Sequence, residues 1–417
     1  MPDQAPPSRA LAEAVALCRP EVVCACPTAT QASIVEALRA IADGGALPGC
    51  AFVDAESEAA ALSAAIGASA AGARAYTATS GQGLLSMAEA VYEAADLGLP
   101  VVMTIANRAI GAPFDLWNDH SDSMSMRDAG WIQLYPETGQ EALDLHIQAF
   151  RLAEELACPA MVCVDGFLLD DAGGRVDVPA QADVDLFLPP FEPRQVLDPS
   201  EPVSIGATVG PEAFTEMRYL AHHKQLRALS LIPQLSASFA KAFGRASGGL
   251  VRPYRTADAE TIVVALGSIN GAVREVVDTM RQAGEPIGSV SIGAFRPFPV
   301  TALREALQHA KRVVVLEKCL AVGLGGIVSD GVRRALSGIA LNGYTVIAGL
   351  GGRAVTRASL EQLFADAGAD ELEQVTFLDL NADVVAHELE REARSRRTGP
   401  TAEAILRRLG GTAPRAR

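Results

Sequence analysis

The 417-residue chain contains no CxxC pair and nothing like the CxxCxxCxxxC run that holds a four-iron cluster. Electron-transfer clusters, where the chemistry needs them, therefore have to sit on another chain. Positive charge is in the minority, 35 Lys and Arg against 50 Asp and Glu for a formal net charge of -15, and no basic run exists to follow a phosphate backbone. Nucleic acid is thereby excluded as an expected partner. The most apolar stretches, such as residues 59–73, are short and rich in Ala and Gly, below the roughly 20 residues a bilayer span needs. The amino-terminal MPDQAPPSRA lacks the apolar centre of a secretory signal, so the reading is a soluble, cytoplasmic protein with no membrane partner. Seven cysteines, an odd number lying mostly in apolar runs, fit buried thiols in a reducing compartment better than a disulfide framework.

What the chain does have is alternation. Hydrophobic residues make up 49% of it, enough for conventional cores. From Val22 to Asp165, short apolar strands alternate with longer helical segments, the pattern of βαβ units in a parallel sheet covered on both faces. Proline clusters at Pro189, Pro190 and Pro193 and at Pro199 and Pro202 interrupt this regularity, and alternation resumes at Thr261. The expected organisation is a doubly wound α/β domain over 1–180, a linker with a connecting helix over 181–255, a smaller α/β domain over 256–380 and a charged helical tail over 381–417.

Functional side chains concentrate in the loop after the strand Val101 to Ala106, which holds Asn107, Arg108, Trp117, Asn118, Asp119, His120 and Asp122. Ligands of open parallel sheets sit outside the carboxyl ends of the strands, where Asn107 and Arg108 fall. A guanidinium there suits a substrate carboxylate through paired hydrogen bonds, and it equally suits a structural bond to Asp119 or Asp122. His120 beside Asp119 reads either as an oriented acid/base pair or as a loop hydrogen bond. Glu56 and Glu58 follow the strand Cys50 to Val53, with Asp54 a candidate N-cap. They either complement the helix dipole or place a carboxyl at the ligand edge, where it shares a proton with a heterocyclic base. The turns Gly323 to Gly326 and Gly349 to Gly352 match neither GxGxxG nor GxxxxGK[ST], and tight turns are a better reading than phosphate cradles.

Three segments carry a family resemblance. GASAAGARAYTATSGQGL (67–84), VMTIANRAIGAPFDLWNDHSDSMSMRDAGWIQ (102–133) and PAMVCVDGF (159–167) resemble the alpha subunit of the 2-oxo acid:acceptor oxidoreductases, the pyruvate:ferredoxin oxidoreductase group. Residues 263–307 and 313–336 are similar to the second domain of that family. The resemblance implies a thiamine-diphosphate pyrimidine-binding-type domain followed by a transketolase C-terminal-like α/β domain. It also implies oxidative decarboxylation of a 2-oxo acid to an acyl-CoA, with CoA as co-substrate and iron-sulfur clusters on partner chains.

Residue by residue, Glu58 falls where the family contacts the cofactor's aminopyrimidine, and Arg108 where it meets the substrate carboxylate. Asn107 accompanies Arg108 in the expected substrate pocket. The Gly-Asp-Gly segment and downstream Asn that hold magnesium and diphosphate are absent from this chain. The family supplies them from a beta subunit, which implies a site shared across an interface. Gamma, iron-sulfur and, in one branch, flavin (FAD) subunits complete the implied complex, expected as a dimer of heteromers. Where the family reads Tyr-Pro-Ile-Thr-Pro, this chain reads Cys26-Pro27-Thr28-Ala29-Thr30, so Ala29 takes the threonine position and Thr28 or Thr30 replaces it only if the loop shifts. Room at Ala29 points to a bulky acid, with phenylglyoxylate oxidised to benzoyl-CoA and electrons passed to NAD as the first expectation. Pyruvate or another aliphatic 2-oxo acid with ferredoxin as acceptor is the alternative. A non-catalytic scaffold is the alternative of a different class.

Overall fold

A computed structural model describes residues 7–26, 32–166, 168 and 176–410. The elements of the first half are α1 (Pro7–Leu17), β1 (Val22–Ala25), α2 (Ala32–Asp43), β2 (Ala51–Asp54), α3 (Glu58–Ala70) and β3 (Ala75–Thr79). After them come α4 (Gln82–Ser86), α5 (Ala88–Leu97), β4 (Val102–Asn107), α6 (Ser121–Ser125), β5 (Ile132–Leu134), α7 (Gly139–Leu156) and β6 (Ala160–Asp165). The chain continues through α8 (Gln181–Phe187), α9 (Pro211–Phe243), β7 (Val251–Tyr254), β8 (Thr261–Leu266), α10 (Ile269–Gln282), β9 (Ile287–Ile292) and β10 (Ala294–Arg296). It ends with α11 (Val300–Leu307), β11 (Arg312–Glu317), α12 (Val328–Ala335), β12 (Asn342–Ile347), α13 (Arg357–Gly368), β13 (Val375–Phe377), α14 (Ala382–Arg394) and α15 (Thr401–Arg408). No helix among the described residues is long and apolar enough to cross a membrane.

Two sheets organise the chain. The first runs β10-β5-β6-β4-β3-β1-β2 and the second β13-β12-β11-β8-β9-β7. Pairing is parallel except at β10, antiparallel to β5, and β7, antiparallel to β9. The central strands β3, β4 and β6 are buried along their whole length, as sheets covered by helices on both faces require. The alternation expected from sequence is thus present, with two differences at the junction. β7 lies inside the stretch expected to be a linker, and belongs to the second sheet. β10 lies inside the stretch expected to be the smaller domain, and extends the first. Both are short and carry little periodicity, so their pairing is decided by tertiary context. Between β3 and β4 the helical segment is divided at Met87 into α4 and α5.

In the first sheet the chain leaves β1 toward β2 on one side and toward β3 on the other. The second sheet reverses in the same way between β8 and β11. Such reversals open a crevice at the carboxyl ends of the strands, because the connections on the two sides pull apart.

One buried polar chain crosses the first domain from sheet to helix. The Tyr76 hydroxyl lies 2.6 Å from Thr104 Oγ1, which lies 2.6 Å from His146 Nε2, while His146 Nδ1 lies 2.6 Å from the Ala142 carbonyl. With Nδ1–H donating to that carbonyl, a neutral ring leaves Nε2 to accept from the Thr104 hydroxyl, so the neutral form is satisfied here. Burial holds its pKa down at about 4, against 6.5 for an ordinary histidine. As pH falls, the unfolded chain takes this proton first. His146 therefore withholds nothing above pH 6.5 and costs stability progressively down to about pH 4. The difference is about 2 kcal/mol by pH 5. His146→Gln should flatten that limb of the stability-versus-pH curve, measured as urea midpoints at pH 7 and pH 5. An unchanged difference between the two pH values would show that His146 is protonated in the fold.

Candidate active site

Glu58 is the first residue of α3. Ser57 caps this helix, its Oγ accepting from the Ala60 N–H at 3.2 Å. Asp54, the cap expected from sequence, ends β2 instead and pairs with Arg39. Glu56 precedes the helix and is exposed, whereas Glu58 is half-buried at the positive end of the helix dipole. The buried face of α3 is Ala61, Leu62, Ala65, Ser69 and Ala70, small enough to seat the helix closely on β1 and β3. That seat fixes Glu58 beside Cys26, whose buried thiol is pushed up by burial and then by the charges of Glu58 and Glu56.

Opposite α3 is the turn between β3 and α4. Gly81 adopts φ 51° and ψ -124°, a conformation an L side chain resists. A Cβ on Gly83 would fall 2.8 Å from Glu58 Oε1 and 2.7 Å from Thr79 Oγ1, so only glycine lets this turn lie against the carboxylate. Two residues earlier the same turn meets Arg108: a Cβ on Gly81 would lie 3.5 Å from Arg108 Cδ. Glu58, at the start of α3, and Arg108, just past β4, are thus both registered on residues 81–83.

Arg108 directly follows β4 and is 8% exposed. Its Nε donates to the Asp115 carbonyl at 3.3 Å, and its guanidinium lies 5.2 Å from the centre of the Phe114 ring. Asp122 receives the backbone N–H of Arg108 at 2.9 Å, along with Gly81 N–H at 2.9 Å, Asn107 Nδ2 at 2.7 Å and Ser123 N–H at 2.7 Å. Burial lifts the Asp122 carboxyl to about 6, against these four donors that favour its charged form.

His120 and Asp119 do not form the pair that their adjacency suggested. His120 Nε2 bonds Asp165 Oδ1 at 2.8 Å, and its N–H donates to the Lys318 carbonyl at 2.8 Å. Asp119 accepts from Ser121 N–H at 2.9 Å and from Gly351 N–H at 3.0 Å. Adjacent residues in this loop point to different neighbours, because the loop is threaded between the two sheets.

Asp165, the last residue of β6, is the centre of that junction. It accepts from Asn118 Nδ2 at 3.0 Å and Ser268 N–H at 2.9 Å, bonds Ser268 Oγ, and lies 3.5 Å from Lys318 Nζ. Burial alone would raise its carboxyl, but Lys318 and His120 outweigh this and hold it well below the usual carboxylate range. Ser268 follows β8 and Lys318 follows β11, so this chain's own Asp165 and loop fill the crevice of the second sheet. The glycine turns are filled likewise. Glu317 accepts from Ile327 and Val328 N–H, each at 2.7 Å, at the start of α12, and Asp119 takes the Gly351 N–H. Internal carboxylates occupy the positions a phosphate would need.

Sequence reading missed Asp165, Lys318 and Ser268. The same signal that found Arg108, a polar side chain at the carboxyl end of an apolar strand, marks all three. The expected pocket residues Thr28, Ala29 and Thr30 lie outside the described residues. Cavities of about 510 and 990 Å³ exist elsewhere, the first beside α1 and α2, the second between α9, β10 and α11; neither touches Glu58 or Arg108. The chemistry, not the concavity, locates this site as an open edge.

The edge fits the pyrimidine end of thiamine diphosphate. Along this edge Thr79 Oγ1, Gln82 Nε2 and Asn107 Oδ1 are buried without a hydrogen-bond partner, groups that a polar heterocycle or an acid can satisfy.

Residues 13–236 match the family model described as pyruvate flavodoxin/ferredoxin oxidoreductase, thiamine diphosphate-binding, and residues 259–360 match pyruvate:ferredoxin oxidoreductase core domain II. Pyruvate synthase subunit PorA of Methanosarcina barkeri is 40% identical over 389 residues, covering 91% of this chain and 96% of the relative. Ketoisovalerate oxidoreductase subunit VorA of Pyrococcus abyssi is 37% identical over 361 residues, covering 86% and 91%. Among solved structures, the 2-oxoglutarate:ferredoxin oxidoreductase from Magnetococcus marinus superposes with a TM-score of 0.66 at 20% identity over 87% of this chain and 65% of its own. That likeness is one of fold, a doubly wound domain followed by a transketolase-like one. The chain belongs to the thiamine-diphosphate-dependent, acyl-CoA-forming 2-oxo acid oxidoreductases, as an alpha subunit of the pyruvate:ferredoxin oxidoreductase family.

Proposed function

We propose that this chain is the alpha subunit of a heteromeric pyruvate:ferredoxin oxidoreductase, supplying Glu58 and Arg108 to a site completed by a partner subunit. The observation that carries this reading is the shared registration of both side chains on the turn 81–83 at the reversal of the first sheet. Glu58 contributes a fixed carboxylate toward the aminopyrimidine and holds a proton there. Arg108 presents a guanidinium, seated on Phe114, to the acid's carboxylate. Thiamine diphosphate, when bound, supplies the nucleophilic carbon and the electron sink that decarboxylation of a 2-oxo acid requires. Magnesium and the diphosphate belong to the partner's half of the site, and iron-sulfur clusters to partner chains. We place the assembly in the cytoplasm.

The names of the relatives favour pyruvate over phenylglyoxylate, and the descriptions of the matching family models favour ferredoxin over NAD. The aryl-acid expectation rested on Ala29 alone, and single contacts of methyl size shift selectivity by only about 1–3 kcal/mol. Assays of the purified complex with pyruvate, 2-oxoisovalerate and phenylglyoxylate, each with CoA and with ferredoxin or NAD, test this. Pyruvate with ferredoxin should give a kcat/KM at least about tenfold above the rest, a gap of roughly 1.4 kcal/mol. A higher value for phenylglyoxylate would remove the substrate assignment.

This chain carries no Gly-Asp-Gly segment, so alone it lacks ligands for the charged end of the cofactor. Calorimetry on the isolated chain should show no thiamine diphosphate binding in the micromolar range, and the complex should bind tightly. Micromolar binding to the isolated chain would mean that the diphosphate site lies here.

A further inference from the structure

Two backbone segments must be held at a fixed separation for Arg108 and the Gly81 turn to work together, and one side chain touches both. Asp122 Oδ2 receives Gly81 N–H and Arg108 N–H, each at 2.9 Å. Its Oδ1 receives Asn107 Nδ2 and Ser123 N–H, each at 2.7 Å. The residue has 0% exposure, so water does not compete for these bonds. It reaches them from α6, whose first residue is Ser121, and α6 is held in turn: Ser123 Oγ receives the Tyr135 hydroxyl at 2.8 Å and Asn107 Nδ2 at 2.6 Å. The carboxylate thus staples the β3–α4 turn, which lies against Glu58, to the residue that follows β4. Neither strand's own ladder can do this, because parallel pairing of β3 with β4 runs from Tyr76–Val102 only as far as Thr79–Ile105. Beyond that register the two chains diverge, and Asp122 replaces the missing rungs.

We propose that Asp122 is a positioning residue for the 2-oxo acid site, acting through Arg108 and the Gly81 turn without touching the substrate. This rests on the functional reading above. A carboxylate is required because all four partners are donors; an amide of the same shape turns an N–H2 toward two or more of them.

The test is a double-mutant cycle in the assembled complex, read as KM for the 2-oxo acid and kcat separately. Asp122→Asn should raise KM at least about tenfold, roughly 1.4 kcal/mol, by misplacing Arg108. Arg108→Ala should raise it further, and adding Asp122→Asn to Arg108→Ala should change KM less than about threefold. A purely structural role gives a lowered melting temperature with KM effects that multiply, and that result overturns the proposal. Should the Asp122→Asn chain fail to assemble, Ser123→Ala removes the hydroxyl that ties α6 to Tyr135 and Asn107 and leaves the three backbone bonds of Asp122 in place. It should raise KM a few-fold in the native background and leave it unchanged beside Arg108→Ala; equal cost in both backgrounds overturns the proposal. If Arg108→Ala itself leaves KM unchanged, the functional reading has failed and this inference goes with it. If Arg108→Ala behaves as expected and Asp122→Asn does not, the inference alone has failed.

Discussion

Glu58→Gln in the assembled complex should abolish nearly all decarboxylation, a loss of at least about a hundredfold in kcat, or roughly 2.7 kcal/mol of barrier. The amide keeps the size of the side chain and its seat against Gly83, so folding and assembly should survive. What it loses is the capacity to hold a proton between itself and a heterocyclic nitrogen, the one property the position requires. Glu56→Gln is the matched control, because Glu56 is exposed and outside the helix. Its effect should stay within about twofold. A loss below about tenfold for Glu58→Gln would show that another residue carries the proton.

Lys318→Ala should destabilise the chain by about 3 kcal/mol or more. It removes the lysine charge 3.5 Å from a buried Asp165, leaving that carboxylate with a weaker balance of charge among groups that water does not reach. Because Asp165 is held well below the usual carboxylate range by Lys318 first and His120 next, the truncation should also bring its titration upward into a measurable range. Combining Lys318→Met with Asp165→Asn neutralises both partners and should recover a good part of the loss, since an isolated buried charge is the expensive state. Urea midpoints for the single and double variants measure this. A loss under about 1 kcal/mol for Lys318→Ala would mean that the junction is hydrated.

The parallel strands were legible because each is a continuous apolar run bounded by longer amphipathic segments, as in Val102–Asn107 and Ala160–Asp165. The positions of Arg108 and Glu58 were legible for a related reason: each follows such a run, at the edge where open parallel sheets take their ligands. The partners of the loop residues were not. Asp119 and His120 are neighbours in sequence, yet one bonds Gly351 and the other Asp165, and no local pattern encodes contacts 232 and 45 residues away. β10 was illegible for the same reason, since a segment of three residues acquires its role by pairing with β5. Asp122 stood in the polar loop as one acid among several. Only the structure shows it joining two strand ends.

The most direct measurement is a cryo-electron microscopy map of the complex with thiamine diphosphate bound. The account predicts the aminopyrimidine within hydrogen-bond distance, about 2.6–3.2 Å, of the Glu58 carboxylate, with the diphosphate held by the partner subunit. A cofactor whose pyrimidine contacts any other acid, or whose diphosphate lies on this chain, would contradict it.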